Sequence, residues 1–322
     1  MYFNHLNNFF HGIMFHHFHD NNIHTKGQGS ISKDEFFKII QFIGRKNILD
    51  ADIFFEKFKE SKLKDNEVCL TFDDGIKCQI DIALPILEDL KIKSFFFVYT
   101  SIFDGKPDNL EIFRYFRLNY FDSVDEFYIK FFKTLNKDLT LFFKKNEQDI
   151  KNTKSKFPFY SIEDIKFRFV RDKFLTKANY EENIFLMMDE NNFKPEEIYS
   201  QLFLRQKDLK QLNSLGHLIG LHSHSHPTLL EKLNYDEQKS EYEKNIAIIT
   251  KILSKSQNDV KWMSHPCGSY NNNTLQILRE LNIELGFKQI MSIETDKGMK
   301  SINNSFLEIA RQDHANILRK IN

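Results

Sequence analysis

Three histidines, His222, His224 and His226, fall within five residues of the stretch GLHSHSHPTLL (220–230), with Pro227 directly behind them. Imidazoles packed this closely suit a metal ion better than an apolar core. If the backbone turns helically after His222, then His222 and His226 share one face, their Cβ atoms about 5–6 Å apart. That is close enough for both nitrogens to reach one ion at about 2.0–2.1 Å. A strand would put all three on one side, but Pro227 argues against a central strand there. The turn is the expected form, with His224 directed away or supporting from behind. Earlier, Asp73 and Asp74 lie in the stretch LTFDDG (70–75). Two histidines and one carboxylate leave coordination positions open, as catalytic rather than structural sites do. Adjacent carboxylates do not easily share a role: one can bind the ion while the other takes a proton from water.

Each of these groups should follow a strand. EVCLTF (67–72) reads as a buried strand ending at the aspartates, and LIGL (218–221) leads into the histidines. A helix to about Leu90, interrupted at Pro85, and the apolar run SFFFVYT (94–100) complete a parallel βαβ unit. GIMFHHF (12–18) is strand-length, and its end carries His16, His17 and His19. SKDE (32–35) has the form of a capping box, opening a helix that Gly44 stops. Late in the chain come a helix from about Tyr235 to Leu253 capped by Asn234 and Glu237, and the strand VKWMS. The loop HPCGSYNNN, a helix over 274–281 and a strand near 285–293 follow. Active sites of parallel α/β sheets lie at the carboxyl ends of the strands. Three such ends therefore point polar chemistry at one face.

TFDDG, GHLIGLHSHSHPTL and HPCGSYN, in this order, resemble the first three motifs of the polysaccharide deacetylases, the NodB-type carbohydrate esterases of family 4. ALPILEDLKIKSFFFV is similar to the segment that follows their first motif. The resemblance covers roughly 12–101 and 203–318 and implies a distorted (β/α) barrel of fewer than eight strands. By position it makes Asp73 the catalytic base and Asp74, His222 and His226 the metal ligands, with removal of an N-acetyl or other acyl group from a sugar as the chemistry. It implies one divalent metal, zinc first and cobalt or nickel as alternatives. The family's third motif usually begins with an arginine that steadies the base, and here that position is Ser264, with Cys267 in place of the usual aromatic. EIARQDHANIL (308–318) is similar to a downstream segment of a branch with a small residue there, which makes Arg311 the substitute. No closing Leu-x-His matches, and His314 is the nearest candidate for the general acid. The resemblance also puts one of the histidines after the first strand on the rim of the site.

Residues 106–200 fall outside the motifs. They are aromatic- and lysine-rich with helical spacing, and are expected to form a helical insertion within a single catalytic domain of residues 1–322. A cap over the pocket or an oligomer contact is its expected role, its Phe and Tyr stripes forming helix core. Lys and Arg number 45 against 45 Asp and Glu, with no basic block, so nucleic acid is not an expected partner. Three cysteines without a CxxC pattern suit a reducing compartment. The opening residues carry no charged leader ahead of an apolar stretch, and no run is long enough to span a bilayer. A cytoplasmic protein is expected, acting on an acetylated sugar such as a nucleotide-linked or lipid-linked saccharide. Two other functions use the same residues: a metal-dependent hydrolase of a non-sugar amide, and an inactive module that keeps the fold for binding. A binuclear amidohydrolase would place its HxH motif on the first barrel strand, whereas here it lies two thirds of the way along.

Overall fold

The computed structural model describes residues 11–20, 22–156, 160–290 and 306–321. The chain begins with β1 (His11–Phe15), α1 (Lys33–Ile43), α2 (Ala51–Lys59), β2 (Val68–Phe72), α3 (Leu84–Asp89) and β3 (Phe95–Val98). Six helices follow among the described residues: α4 (Asn109–Asn119), α5 (Val124–Thr134), α6 (Thr140–Lys145), α7 (Glu147–Lys156), α8 (Ile162–Phe169) and α9 (Lys177–Glu190). Then come α10 (Tyr199–Leu202), α11 (Gln206–Ser214), β4 (Leu218–Leu221), α12 (Tyr235–Leu253) and β5 (Trp262–Ser264). The last elements are α13 (Asn272–Glu280), β6 (Leu285–Phe287), β7 (Ala310–Asp313) and α14 (His314–Ile321). They fall into two compact units, Met1–Asp108 with Tyr199–Asn322, and Asn109–Ile198.

In the first unit seven strands pair in the order β6-β5-β4-β3-β2-β1-β7, every pair parallel. A bridge between Phe287 and Ile309, just before β7, brings the two edges together. The result is a nearly closed, distorted (β/α) barrel. Its strands are mostly apolar because both faces are covered, with Thr71, Ser264 and the polar β7 as exceptions. Period-two alternation sorts the side chains. Leu70, Phe72, Phe96 and Val98 pack outward with residues of α1, α3, α11 and α12. Cys69, Phe95, Phe97, Trp262, Leu285 and Phe287 pack with Phe54, Phe55 and Phe58 of α2. Leu49 N donates to the Val68 carbonyl at 2.8 Å and Ala51 N to the Lys93 carbonyl at 2.9 Å, so α2 plugs the amino ends of the strands. The interior tolerates no side chain at position 220, where a Cβ would lie 2.6 Å from the Trp262 backbone oxygen. Chemistry is left to the carboxyl end.

The capping boxes expected at Ser32–Glu35 and Asn234–Glu237 are present, and α12 spans Tyr235–Leu253 as read from its pattern. Pro85 does not interrupt a helix. It follows a π-helical turn over Gln79–Ala83 that runs on helically through Ala83 and Leu84 into the first turn of α3, so the chain stays helical across it. The first strand ends at Phe15 rather than Phe18, and the strand expected near 285–293 ends at Phe287; positions 291–293 lie outside the described residues.

The second unit is helical. Phe116 of α4, Phe127 and Phe131 of α5, Phe167 of α8, and Ile184, Met187 and Met188 of α9 are buried, so its aromatic stripes form helix core. Ser123, Ser161 and Thr176 cap α5, α8 and α9. No helix among the described residues is long and apolar enough to cross a membrane.

Candidate active site

Strand parity delivers Asp73. Leu70 and Phe72 face outward, so Cys69 and Thr71 face the barrel interior and Asp73 continues that series one step beyond β2. Its amide donates to the Phe15 carbonyl at 3.1 Å, which holds it against the end of β1. The chain then reverses: Asp74 has φ +75° and Gly75 φ +65°. A Cβ at Gly75 would lie 2.8 Å from Val98 Cγ1, so only glycine fits. Asp74 accepts a left-handed conformation that costs about 1–2 kcal/mol outside glycine. In exchange its carboxylate turns towards the histidines.

The arginine arrives by the same parity from β7. Gly12 pairs with Arg311 in the register of β1 with β7, and Arg311 is fully buried. Its Nη1 donates to Asp73 Oδ1 at 2.7 Å and its Nη2 to Asp73 Oδ2 at 2.6 Å, a two-pronged clamp. Nη2 also donates to Ser264 Oγ at 2.8 Å, and Ser264 Oγ donates to Asp73 Oδ2 at 3.1 Å. Nη1 reaches Thr71 Oγ1 at 3.2 Å and Nε reaches the Lys288 carbonyl at 2.8 Å. Burial alone would raise the Asp73 carboxyl, but the Arg311 charge, then the nearby His222, holds it below the usual carboxylate range.

Asp74, His222 and His226 form a buried cluster whose ligand atoms all lie within 4.8 Å of one another. Asp74 Oδ1 is 3.1 Å from His222 Nε2 and 3.3 Å from His226 Nε2. His222 Nδ1 donates to the Ser264 carbonyl at 2.9 Å, which fixes the ring so that Nε2 faces Asp74. Burial opposes charge on Asp74, yet its bonds to His222 and His226 hold it well below the carboxylate range. Burial lowers His226, and Asp74 more than reverses this and raises it. A site that draws positive charge between one carboxylate and two imidazoles fits a divalent cation. Among the described residues no other such cluster is found.

The helical turn expected after His222 is not formed. Ser223 has φ +61° and His226 φ +56°, and Ser223 Oγ accepts from the His226 amide at 3.1 Å. A tight turn with two left-handed residues still brings the rings of His222 and His226 to 5.1 Å. His224 points elsewhere, its Nδ1 3.0 Å from Thr100 Oγ1. Two side chains of α12 pin the loop. Asn245 accepts from the His222 amide at 2.9 Å, and Glu241 accepts from the amides of His224 and Ser225 at 2.9 and 2.7 Å.

His314, expected as a general acid, is not brought to this cluster. Arg311 faces inward, so His314, three positions on, faces outward. Its ring stacks on Phe15 at 5.6 Å, with Nδ1 3.2 Å from the Met14 carbonyl and Nε2 3.0 Å from that of Gly29. His16 is the histidine that lies beside the two aspartates. Its Nε2 lies 3.8 Å from Asp73 Oδ2 and 3.9 Å from Asp74 Oδ2. Burial lowers its pKa, although both aspartates pull upward. The signal was present in the chain: Ile13 and Phe15 face outward, so His16 has the inward parity that His17 lacks. His19 is occupied by Ser30 Oγ at 2.9 Å.

The sequence profile described as polysaccharide deacetylase matches residues 60–114 and 170–286, more than half of the chain. The chain belongs to the polysaccharide deacetylase family. Solved deacetylases share the fold. The Streptococcus pyogenes deacetylase PplD, in complex with acetate, superimposes with a TM-score of 0.56 at 17% identity, over 97% of this chain and 98% of that one. IcaB from Ammonifex degensii gives 0.54 at 12% identity, over 97% and 96%. The de-N-acetylase from Aggregatibacter actinomycetemcomitans gives 0.54 at 11% identity, over 97% and 99%. No curated protein sequence matches this chain significantly. Family membership gives it a polysaccharide-deacetylase fold, of the hydrolase type.

Proposed function

We propose that the chain hydrolyses the N-acetyl, or another N-acyl, group of a sugar or saccharide precursor. The observation that carries this reading is the buried Asp73, clamped by Arg311 and set beside the Asp74–His222–His226 cluster. Asp74, His222 and His226 would hold one divalent cation, zinc first with cobalt or nickel as alternatives. Such a cation supplies Lewis acidity towards the acyl oxygen and the attacking water. Asp73, free of that cluster and kept ionised by Arg311, takes the proton of the water as it attacks the acyl carbon. His16, within 4 Å of both aspartates, is placed to pass that proton from Asp73 to the departing nitrogen, which leaves both groups as they began. Ser264 and Thr71 complete the shell of hydrogen bonds around the Asp73–Arg311 pair.

A nucleotide-linked or lipid-linked saccharide in the cytoplasm remains the proposed substrate class and location. The three free cysteines, with Cys267 exposed, support a reducing compartment. Residues 106–200 are proposed to serve substrate choice or oligomer contact within a single catalytic domain. Their departure after the carboxyl end of β3 supports this role. The test is acetate release from a panel of N-acetylated sugars and sugar nucleotides, with and without chelator. Release that chelator abolishes and added zinc restores is expected. Turnover of only non-sugar amides, or none with metal present, would overturn the reading.

A further inference from the structure

Gln79 has no part in the chemistry above, yet it touches both groups proposed to move protons. Its side chain is fully buried and opens the π-helical turn Gln79–Ala83. Nε2 donates to the Asp73 carbonyl at 2.6 Å and to the His16 carbonyl at 3.1 Å. Both partners can only accept, so the amide orientation is forced. Oε1 is buried with no hydrogen-bond partner among the described residues. An unpartnered buried acceptor is a penalty that an apolar side chain of similar length would avoid. Retaining an amide there makes sense if its two donors do something an apolar group cannot. π-helical turns occur disproportionately at functional sites, where the extra residue per turn redirects a side chain. Here the redirected side chain ties the end of β1 to the end of β2 beyond their last paired residues, Phe15 and Phe72.

We propose that Gln79 is a positioning residue that sets the separation between the base Asp73 and the proton donor His16. This rests on the deacetylase reading and on the donor role of His16. His16 lies one residue beyond the ladder of β1, between the Phe15 carbonyl, which accepts from the Asp73 amide, and the His17 carbonyl, which accepts from the Ile31 amide, and the bond to its own carbonyl comes from Gln79. The carbonyl that Gln79 holds belongs to His16 itself, so a loss of that bond is felt directly at its ring. Asp73 is held independently by Arg311, so the chief effect falls on proton donation rather than on proton abstraction.

The leaving group tests this. A sugar amine must be protonated to depart, whereas a nitrophenolate leaves as the anion. Gln79→Met, His16→Gln and the parent protein are compared on an N-acetylglucosamine oligomer and on 4-nitrophenyl acetate, with metal content checked. Gln79→Met should lower kcat on the amide about 10- to 100-fold while ester turnover, KM and bound metal stay within about 3-fold. Should Gln79→Met fail to fold, Gln79→Asn, too short to span both carbonyls, should give a smaller split of the same sign. Equal loss on both substrates, or no loss on the amide, would overturn the proposal. If His16→Gln kept full amide turnover, the donor role would fall and the proposal with it; loss in His16→Gln alone would overturn only the Gln79 role. Inactivity of the parent protein on both substrates would count against the deacetylase reading. The Gln79 role is then decided by a crystal structure of Gln79→Met: a His16–Asp73 separation still near 3.8 Å overturns it.

Discussion

Replacing Arg311 should separate the charge on this residue from its geometry. The guanidinium makes five hydrogen bonds, to Asp73 twice, Ser264, Thr71 and the Lys288 carbonyl, at 2.6 to 3.2 Å. Both partners of the ion pair are almost wholly buried, at 0% and 2% side-chain exposure. Arg311→Met leaves the Asp73 carboxylate in the barrel with the Ser264 hydroxyl but no cation. Stranding one half of a buried pair costs about 3–5 kcal/mol, a large fraction of the roughly 5–15 kcal/mol that holds a typical domain together. Burial then acts on Asp73 without its chief opposing charge, so its carboxyl rises from its depressed position. A base must be ionised to act, so the acid limb of the rate profile should move to higher pH. Arg311→Lys keeps the charge and loses the fork, because one ammonium cannot span both oxygens and the Lys288 carbonyl. Turnover should fall about 10- to 100-fold while metal content holds. Urea denaturation, elemental analysis and acetate release across pH report these three quantities. Normal turnover in Arg311→Lys, or unchanged stability and pH profile in Arg311→Met, would refute the clamp as the device that organises Asp73.

Elemental analysis of protein purified without chelator should find close to one divalent ion per chain, and the His222→Ala, His226→Ala double variant should lose it; full retention would remove these residues as ligands. Asp73→Asn should keep the ion and lose at least about 100-fold in turnover, whereas Asp74→Asn should weaken ion binding itself. Equal metal content in the two would undo the division between base and ligand. His217, at the amino end of β4, is buried with its Nδ1 accepting from the Ser94 amide at 3.1 Å, and burial pushes its pKa down to about 4 from 6.5. The unfolded chain takes up this proton first, so its contribution is fully present above pH 6.5 and is lost as pH falls towards about 4. The loss is on the order of 3 kcal/mol. Urea midpoints for His217→Gln should fall less over that window than those of the parent, and parallel curves would rule His217 out.

Much of the scaffold was legible because its signals are local. Capping boxes at Ser32 and Asn234 join residues three apart, and LIGL is a strand in the sequence and in the barrel. The two aspartates and the histidine pair are likewise short-range patterns. Errors arose where local signals have two meanings. Pro85 reads as a helix breaker, yet the chain stays helical across it, and His222–His226 spacing fits a helical turn as well as the left-handed loop observed. His314, the nearest candidate for the missing Leu-x-His, lies three positions after Arg311, and an odd step along an extended chain reverses the face.

By itself the sequence determined which strand ends carry chemistry and which side chains are equipped to bind a cation or move a proton. Those properties belong to residue type and short spacing. Tertiary structure decided which groups meet. Arg311 reaches Asp73 across 238 positions because β7 pairs with β1 and β1 with β2, and barrel closure brings Ser264 of β5 to the same pair. Strand parity sends His16 to the mouth and His314 to the outer layer, and the pairing of β1 with β2 sets Gln79 between two carbonyls from different strands. Closure depends on the register and twist of all seven strands at once, a sum of many weak contacts that no single stretch of the chain contains.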